Sequence, residues 1–98
     1  MTQGEWTFLS NYGHVLVSLA RDPDARMRDV AQAVGITERA VQQIVRELVG
    51  QGYLHKEKVG RRNRYDVARA AHLRHELESQ VALGDFLDVV VGRQEPLA

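Results

Sequence analysis

The sequence holds no cysteine, two prolines, two methionines and one tryptophan in 98 residues, and its 13 lysines and arginines are matched by 13 aspartates and glutamates. Without cysteine, neither a disulfide framework nor a thiolate metal site can form. The chain does not open on a basic segment followed by an apolar run, and no stretch approaches the ~18 apolar residues a membrane span needs. A soluble, cytoplasmic protein is therefore expected. A net charge of zero argues against a partner held by charge alone, because phosphate binding depends on local Lys and Arg.

What is present is ordinary for a globular chain, with 44% apolar and 27% charged residues, far from the composition of disorder. The length fits one compact domain. A chain this small leaves roughly a third of its unfolded surface exposed after folding, so burying more of it against a second copy is stabilising.

The charge is unevenly spread. Residues 1–20 carry a single Glu, residues 21–65 carry ten basic and six acidic groups, and residues 66–98 carry three basic and six acidic. The middle is thus basic between acidic flanks. "GRRNRY", residues 60–65, concentrates three arginines within four positions.

From Trp6 to Leu19 the apolar residues Phe8, Leu9, Tyr12, Val15, Leu16 and Leu19 recur at spacings of three and four, which predicts a helix. It should stop near Arg21, before Asp22-Pro23-Asp24. Ala25 to Arg28 reads as a short strand or extended lead-in. Asp29 to Val34 reads as a very short second helix closed by Gly35. Thr37 is placed to cap a third helix, Glu38 to about Gly50, whose Val41, Ile44, Val45 and Leu48 share one face.

Tyr53 to Val59 and Arg64 to Val67 read as a strand pair, with Gly60-Arg61-Arg62-Asn63 as a four-residue loop in which Gly60 and Asn63 accept left-handed backbone. From Ala68 onward the pattern predicts helix through Leu73, Leu77, Val81, Phe86, Leu87, Val90 and Val91, interrupted at Leu83-Gly84-Asp85. Gly92 to Ala98 is expected as a frayed tail. The predicted fold class is mainly α with a small β-hairpin (α+β).

At ~100° per residue, Arg39, Gln42, Gln43 and Arg46 lie opposite the apolar face of the third helix. Their planar heads can pair bidentately with guanine O6/N7 or adenine N6/N7 in a major groove. The bland reading of the same residues is a solvated helix face. Two short-spaced helices followed at once by an arginine-tipped hairpin favour the first reading, because a helix-turn-helix projects its second helix into a groove. The tip can then reach flanking phosphates or a minor groove.

The stretch "RDVAQAVGITERAVQQIVRELVGQGYLHKEKVGRRNRYDV" resembles the winged helix-turn-helix of prokaryotic transcription regulators of the MarR, ArsR and IclR type. Its most specific part is "VAQAVGITERAVQQIVREL" joined to "GYL" and a basic wing. The resemblance implies a bracing helix over Asp29 to Val34, a recognition helix over Glu38 to Val49 and a wing tip over Gly60 to Asn63. It also implies a DNA-binding domain over residues 1–67, followed by a C-terminal helical dimerisation segment, 68–98, packed on it.

The expected function is a homodimeric, sequence-specific regulator of double-stranded DNA, a repressor or autoregulator. Thr37, Arg39, Gln42, Gln43, Arg46, Arg61, Arg62, Asn63 and Arg64 would form its DNA surface. Phe8, Leu77, Val81, Phe86 and Val90 would form its dimer interface. Glu38 and Glu47 run against this pattern, since a carboxylate repels phosphate unless it reads cytosine N4 or is paired. The alternative is a winged-helix module that contacts another protein and no DNA.

His72 and His75, three apart in "AHLRHE", could face one way on a helix beside Glu76, and ArsR-type sensors bind zinc through such residues across a dimer. Two ligands per chain would need a partner to complete a tetrahedral site; no metal or other cofactor is expected. Trp6, Phe8 and Tyr12 could line a pocket for a small-molecule effector, with core packing as the simpler reading. No phosphate loop, nucleophile elbow or paired-carboxylate signature is present, so no enzyme is expected.

Overall fold

The first helix starts later than its apolar spacing predicts. A computed structural model of the chain describes residues 6–92, and in it helix α1 spans Asn11–Arg21. Ser10 is extended, and its side chain accepts a hydrogen bond from the Gly13 N–H at 3.4 Å. That cap satisfies a first-turn donor and fixes the helix start there, leaving Trp6 and Phe8 outside it. The helix ends at Arg21 and Asp22 leaves helical geometry, one residue ahead of Pro23.

Helix α2, Met27–Val34, starts two residues before the expected Asp29, because the Arg26 carbonyl accepts from both Asp29 N–H and Val30 N–H at 2.9 and 3.0 Å. Gly35 then turns the chain with φ 90, and the Ala31 carbonyl accepts from the N–H groups of Gly35 and Ile36. Only glycine adopts that left-handed conformation without a Cβ penalty, so the tight turn depends on it.

Helix α3 spans Glu38–Gly50, as its periodicity predicts. Thr37 caps it, its hydroxyl accepting from the Ala40 N–H at 3.0 Å. Replacing Thr37 with Ala leaves that donor without its partner and should cost about 1 kcal/mol. For a chain of this size that lowers the thermal midpoint by roughly 4–8 °C, which calorimetry would read directly.

Val41, Ile44, Val45 and Leu48 are all buried. They meet Val15, Leu16 and Leu19 of α1, Val30 and Ala31 of α2, and the inward Leu54 and Tyr65 of the hairpin in one core.

Strands β1 (Leu54–Val59) and β2 (Arg62–Val67) pair antiparallel from Leu54↔Val67 to Val59↔Arg62. The connection is therefore the two residues Gly60 and Arg61, and the four-residue loop expected from the sequence is corrected. Gly60 has φ 64 while no non-glycine residue among those described has positive φ. A lone glycine at the first turn position matches the type II′ geometry that suits strand twist. Asn63, expected in the loop, lies in β2 opposite Lys58. The hairpin is also tied backward, because the Tyr65 N–H donates to the Pro23 carbonyl at 3.0 Å.

The helical pattern expected from Ala68, interrupted at Leu83-Gly84-Asp85, forms a helix only from the expected interruption onward. Residues 68–82 are an irregular strap, and only Leu83–Val91 form a helix, α4. The strap's polar groups find tertiary partners instead of helical ones: Ala68 N–H donates to Tyr53 O, the Tyr53 hydroxyl to His72 O, and Leu73 N–H to Val81 O. His72 and Ala82 form an isolated antiparallel bridge.

Helix α4 packs on α1 and contributes Leu83 and Leu87 to the common core. Among the described residues no helix is long and apolar enough to cross a membrane. The tail expected beyond Gly92 lies outside the described residues.

Candidate nucleic-acid interface

The polar side of α3 is built by subtraction. Its four core residues take one face, and Arg39, Gln42, Gln43 and Arg46 are left exposed on the other. Neither arginine enters the interior, so both guanidinium groups are available to a partner surface. Thr37, spent on capping, keeps its side chain at the exposed start of the same helix.

The hairpin stands beside this face. One groove is lined by Gln42, Val45, Arg46 and Val49 of α3, by Lys56 and Asn63 of the two strands, and by Met27 and Tyr65. A neighbouring groove is lined by Arg26, Met27 and Arg28 near the start of α2, by Glu38 of α3, and by Arg62, Asn63 and Tyr65 of the hairpin. Met27, Asn63 and Tyr65 line both, so α3 and the wing border one continuous, largely cationic surface.

Sequence reasoning missed three basic residues of that surface, Arg26, Arg28 and Lys56. The signal for Lys56 was available, since strand alternation sets it opposite Tyr65 in the register. Nothing in the local sequence brings Arg26 and Arg28 to the hairpin. The hydrogen bond from Tyr65 to Pro23 anchors their segment there.

The wing arginines play unequal parts. Arg61 sits exposed in the two-residue turn. Arg62 donates from Nη2 to the Asp24 carbonyl at 2.6 Å, which folds it back toward the α1–α2 turn. Arg64, expected at the start of the second strand beside the tip, lies in β2 and is held there: Nη1 is 3.0 Å from Asp24 Oδ2 and Nε 3.3 Å from the Asp66 carboxylate. Asp66 first and Asp24 second hold the Arg64 proton more firmly than usual. Two carboxylates thus offset the charge that Arg64 could offer to a phosphate.

Both glutamates of α3 are engaged. The Tyr12 hydroxyl donates to Glu47 Oε1 at 2.7 Å, which raises the tyrosine pKa chiefly through that bond. Gln42 Nε2 lies 3.5 Å from Glu38 Oε2, one helical turn away.

The expected dimer residues scatter over different elements. Phe8 precedes α1 and Leu77 lies in the strap, 93% and 85% exposed, so neither is on a helical face as predicted. Val81 lies near the end of the strap, Phe86 packs partly on its own core, and Val90 is exposed on α4 beside Val89.

Trp6 and Phe8 stack edge-on in solvent at 4.9 Å between ring centroids, so the core packing read as the simpler role for them does not form, and no pocket among the described residues encloses them. His72 and His75 lie on the strap instead of a helix. His72 Nδ1 is 2.7 Å from Ser79 O, and His75 Nδ1 accepts from Leu77 N–H. Among the described residues no three His, Asp or Glu side chains gather as a metal site would require.

Residues 14–55 match a family model described as winged helix-turn-helix DNA-binding, a segment that runs from the first turn of α1 to the start of β1. No curated protein matches the sequence. The matched segment holds α2, the Gly35 turn and α3, and the hairpin that follows completes the wing: the chain has a winged helix-turn-helix fold, and its matched segment is similar to DNA-binding domains of that kind.

Proposed function

We propose that the chain is a cytoplasmic, sequence-specific transcriptional regulator that binds double-stranded DNA as a homodimer. The observation that carries this reading is the shared groove in which Gln42 and Arg46 of α3 meet Lys56 and Asn63 of the wing. Helix α3 would enter the major groove, with Arg39, Gln42, Gln43 and Arg46 reading base edges. Arg61, Arg62, Asn63 and Lys56 would meet the backbone beside it, joined by Arg26 and Arg28. Arg64 serves mainly to fix the wing.

The overall neutrality of the chain makes one copy a weak binder, and two copies double the phosphate contacts. Val89 and Val90 of α4 remain exposed, 85% and 42%, with Val81 and Phe86 in the same C-terminal segment. Burying that apolar surface against a second copy would set two recognition helices for half-sites about 34 Å apart or a multiple of it. A dimer seated on an operator would act as a repressor by excluding other proteins from the site.

A salt titration on duplex DNA tests the reading. The logarithm of affinity should fall linearly with the logarithm of salt, at about −0.9 per neutralised phosphate, and Arg61→Ala should flatten the slope by about that amount for every sequence alike. The same titration should saturate at two chains per duplex. No affinity at low salt would instead favour a protein-binding module, a reading supported by the neutral net charge and by the carboxylates around Arg64.

A further inference from the structure

Helix α3 contains two glutamate–glutamine pairs four residues apart, Glu38–Gln42 and Gln43–Glu47. Residues at that spacing are neighbours on a helix surface, and a glutamine amide readily donates to a carboxylate there. The first pair shows such an approach, with Gln42 Nε2 3.5 Å from Glu38 Oε2. In the second pair the carboxylate is turned to another donor. Glu47 Oε1 accepts from the Tyr12 hydroxyl at 2.7 Å, a bond that joins α1 to α3 across 35 positions of sequence.

We infer that Tyr12 is a positioning residue for base recognition: by holding the Glu47 carboxylate against α1, it leaves the Gln43 amide free to read a base. The inference rests on the DNA-binding reading above.

The chemistry favours this division. A glutamine that reads adenine must offer both its N–H and its carbonyl oxygen to the base edge. A carboxylate one turn along the helix competes for the N–H, and its charge also opposes an approaching phosphate. A phenol hydroxyl is a suitable counter-partner, because its bond to an ionised acceptor is stronger than one between neutral groups and adds no charge. Tyr12 stands in the second position of α1, and α1 packs against α3. Tyr12 is itself part-exposed, so removing its hydroxyl leaves the core intact.

The experiment uses an operator selected in vitro by the parent chain and a set of duplexes changed one base pair at a time. Gln43→Ala identifies the position that Gln43 reads. Tyr12→Phe should reduce discrimination at that same position by about threefold to tenfold, the range covered by one hydrogen bond, and leave the other positions unchanged. In a Glu47→Ala background, Tyr12→Phe should have no effect, since there is no carboxylate left to restrain.

Tyr12→Phe indistinguishable from the parent overturns the inference while leaving DNA binding in place. So does an equal loss with and without Glu47, which would mark Tyr12 as merely structural. A parent that binds no duplex at low salt overturns both readings together.

Discussion

Arg46→Ala lowers affinity for the selected operator by about 1–3 kcal/mol and relaxes preference at one base pair of each half-site. The expected size follows from where the side chain sits. Arg46 is exposed on α3 yet borders the groove shared with Lys56 and Asn63, so on the proposed reading a duplex seated there would meet it with a base edge on one side and the wing on the other. A guanidinium that pairs with guanine O6 and N7 loses two parallel bonds on truncation, and alanine offers nothing in return.

Because 1.4 kcal/mol is a factor of ten in affinity, this loss is measurable by fluorescence anisotropy on operators that differ at single positions. A uniform loss across all sequences, accompanied by a flatter salt slope, would instead make Arg46 a phosphate contact.

Leu83→Ala should cost about 2–5 kcal/mol of folding stability, a large share of the ~5–15 kcal/mol that holds a domain together. Leu83 is 1% exposed at the start of α4, in the same core as Leu19 of α1 and Leu54 of β1. Truncation opens a cavity at the junction of α4 with the winged-helix body. Both ends of the strap are bonded around it, since Leu83 N–H donates to Ala71 O and Gly84 N–H to Arg69 O. Little relaxation can fill the space.

Urea unfolding followed by far-ultraviolet dichroism would show the midpoint shift. The same curve bears on organisation: a single transition in the variant makes α4 integral to one cooperative unit. A biphasic curve, or a loss under about 1 kcal/mol, would show that α4 is an appendage.

The parts of the fold legible in the sequence were those where local and tertiary forces agree. Helix α3 carries a cap at Thr37, an apolar stripe and a glycine end, and its bounds match the expectation. The start of α1 was misread because apolar spacing carries on through Phe8 and Leu9, while a single serine cap decides where helical bonding begins. The strap was misread for a tertiary reason. Leu73, Leu77 and Val81 recur at helical spacing, but Tyr53 and the facing segment take up the backbone groups that a helix would have used.

The candidate site was legible to the same degree. The exposed polar face of α3 follows from periodicity alone. The capture of Glu47 by Tyr12 and the arrival of Arg26 and Arg28 beside the hairpin depend on contacts between distant positions, which a single sequence does not encode locally.

The anchoring of the wing has a consequence for how a duplex would be met. Tyr65, Arg62 and Arg64 bind the hairpin to the Pro23–Asp24 turn by one backbone bond, one side-chain bond to a carbonyl and one ion pair. A hairpin tied at these three points on β2 swings less freely than a free arm, and the two-residue turn of Gly60 and Arg61 lies beyond the ties. Little conformational entropy then remains to be lost on association. Tolerance is what such stiffness gives up: the spacing between groove and flanking backbone is set before the duplex arrives, and DNA of a different local width must itself deform to fit.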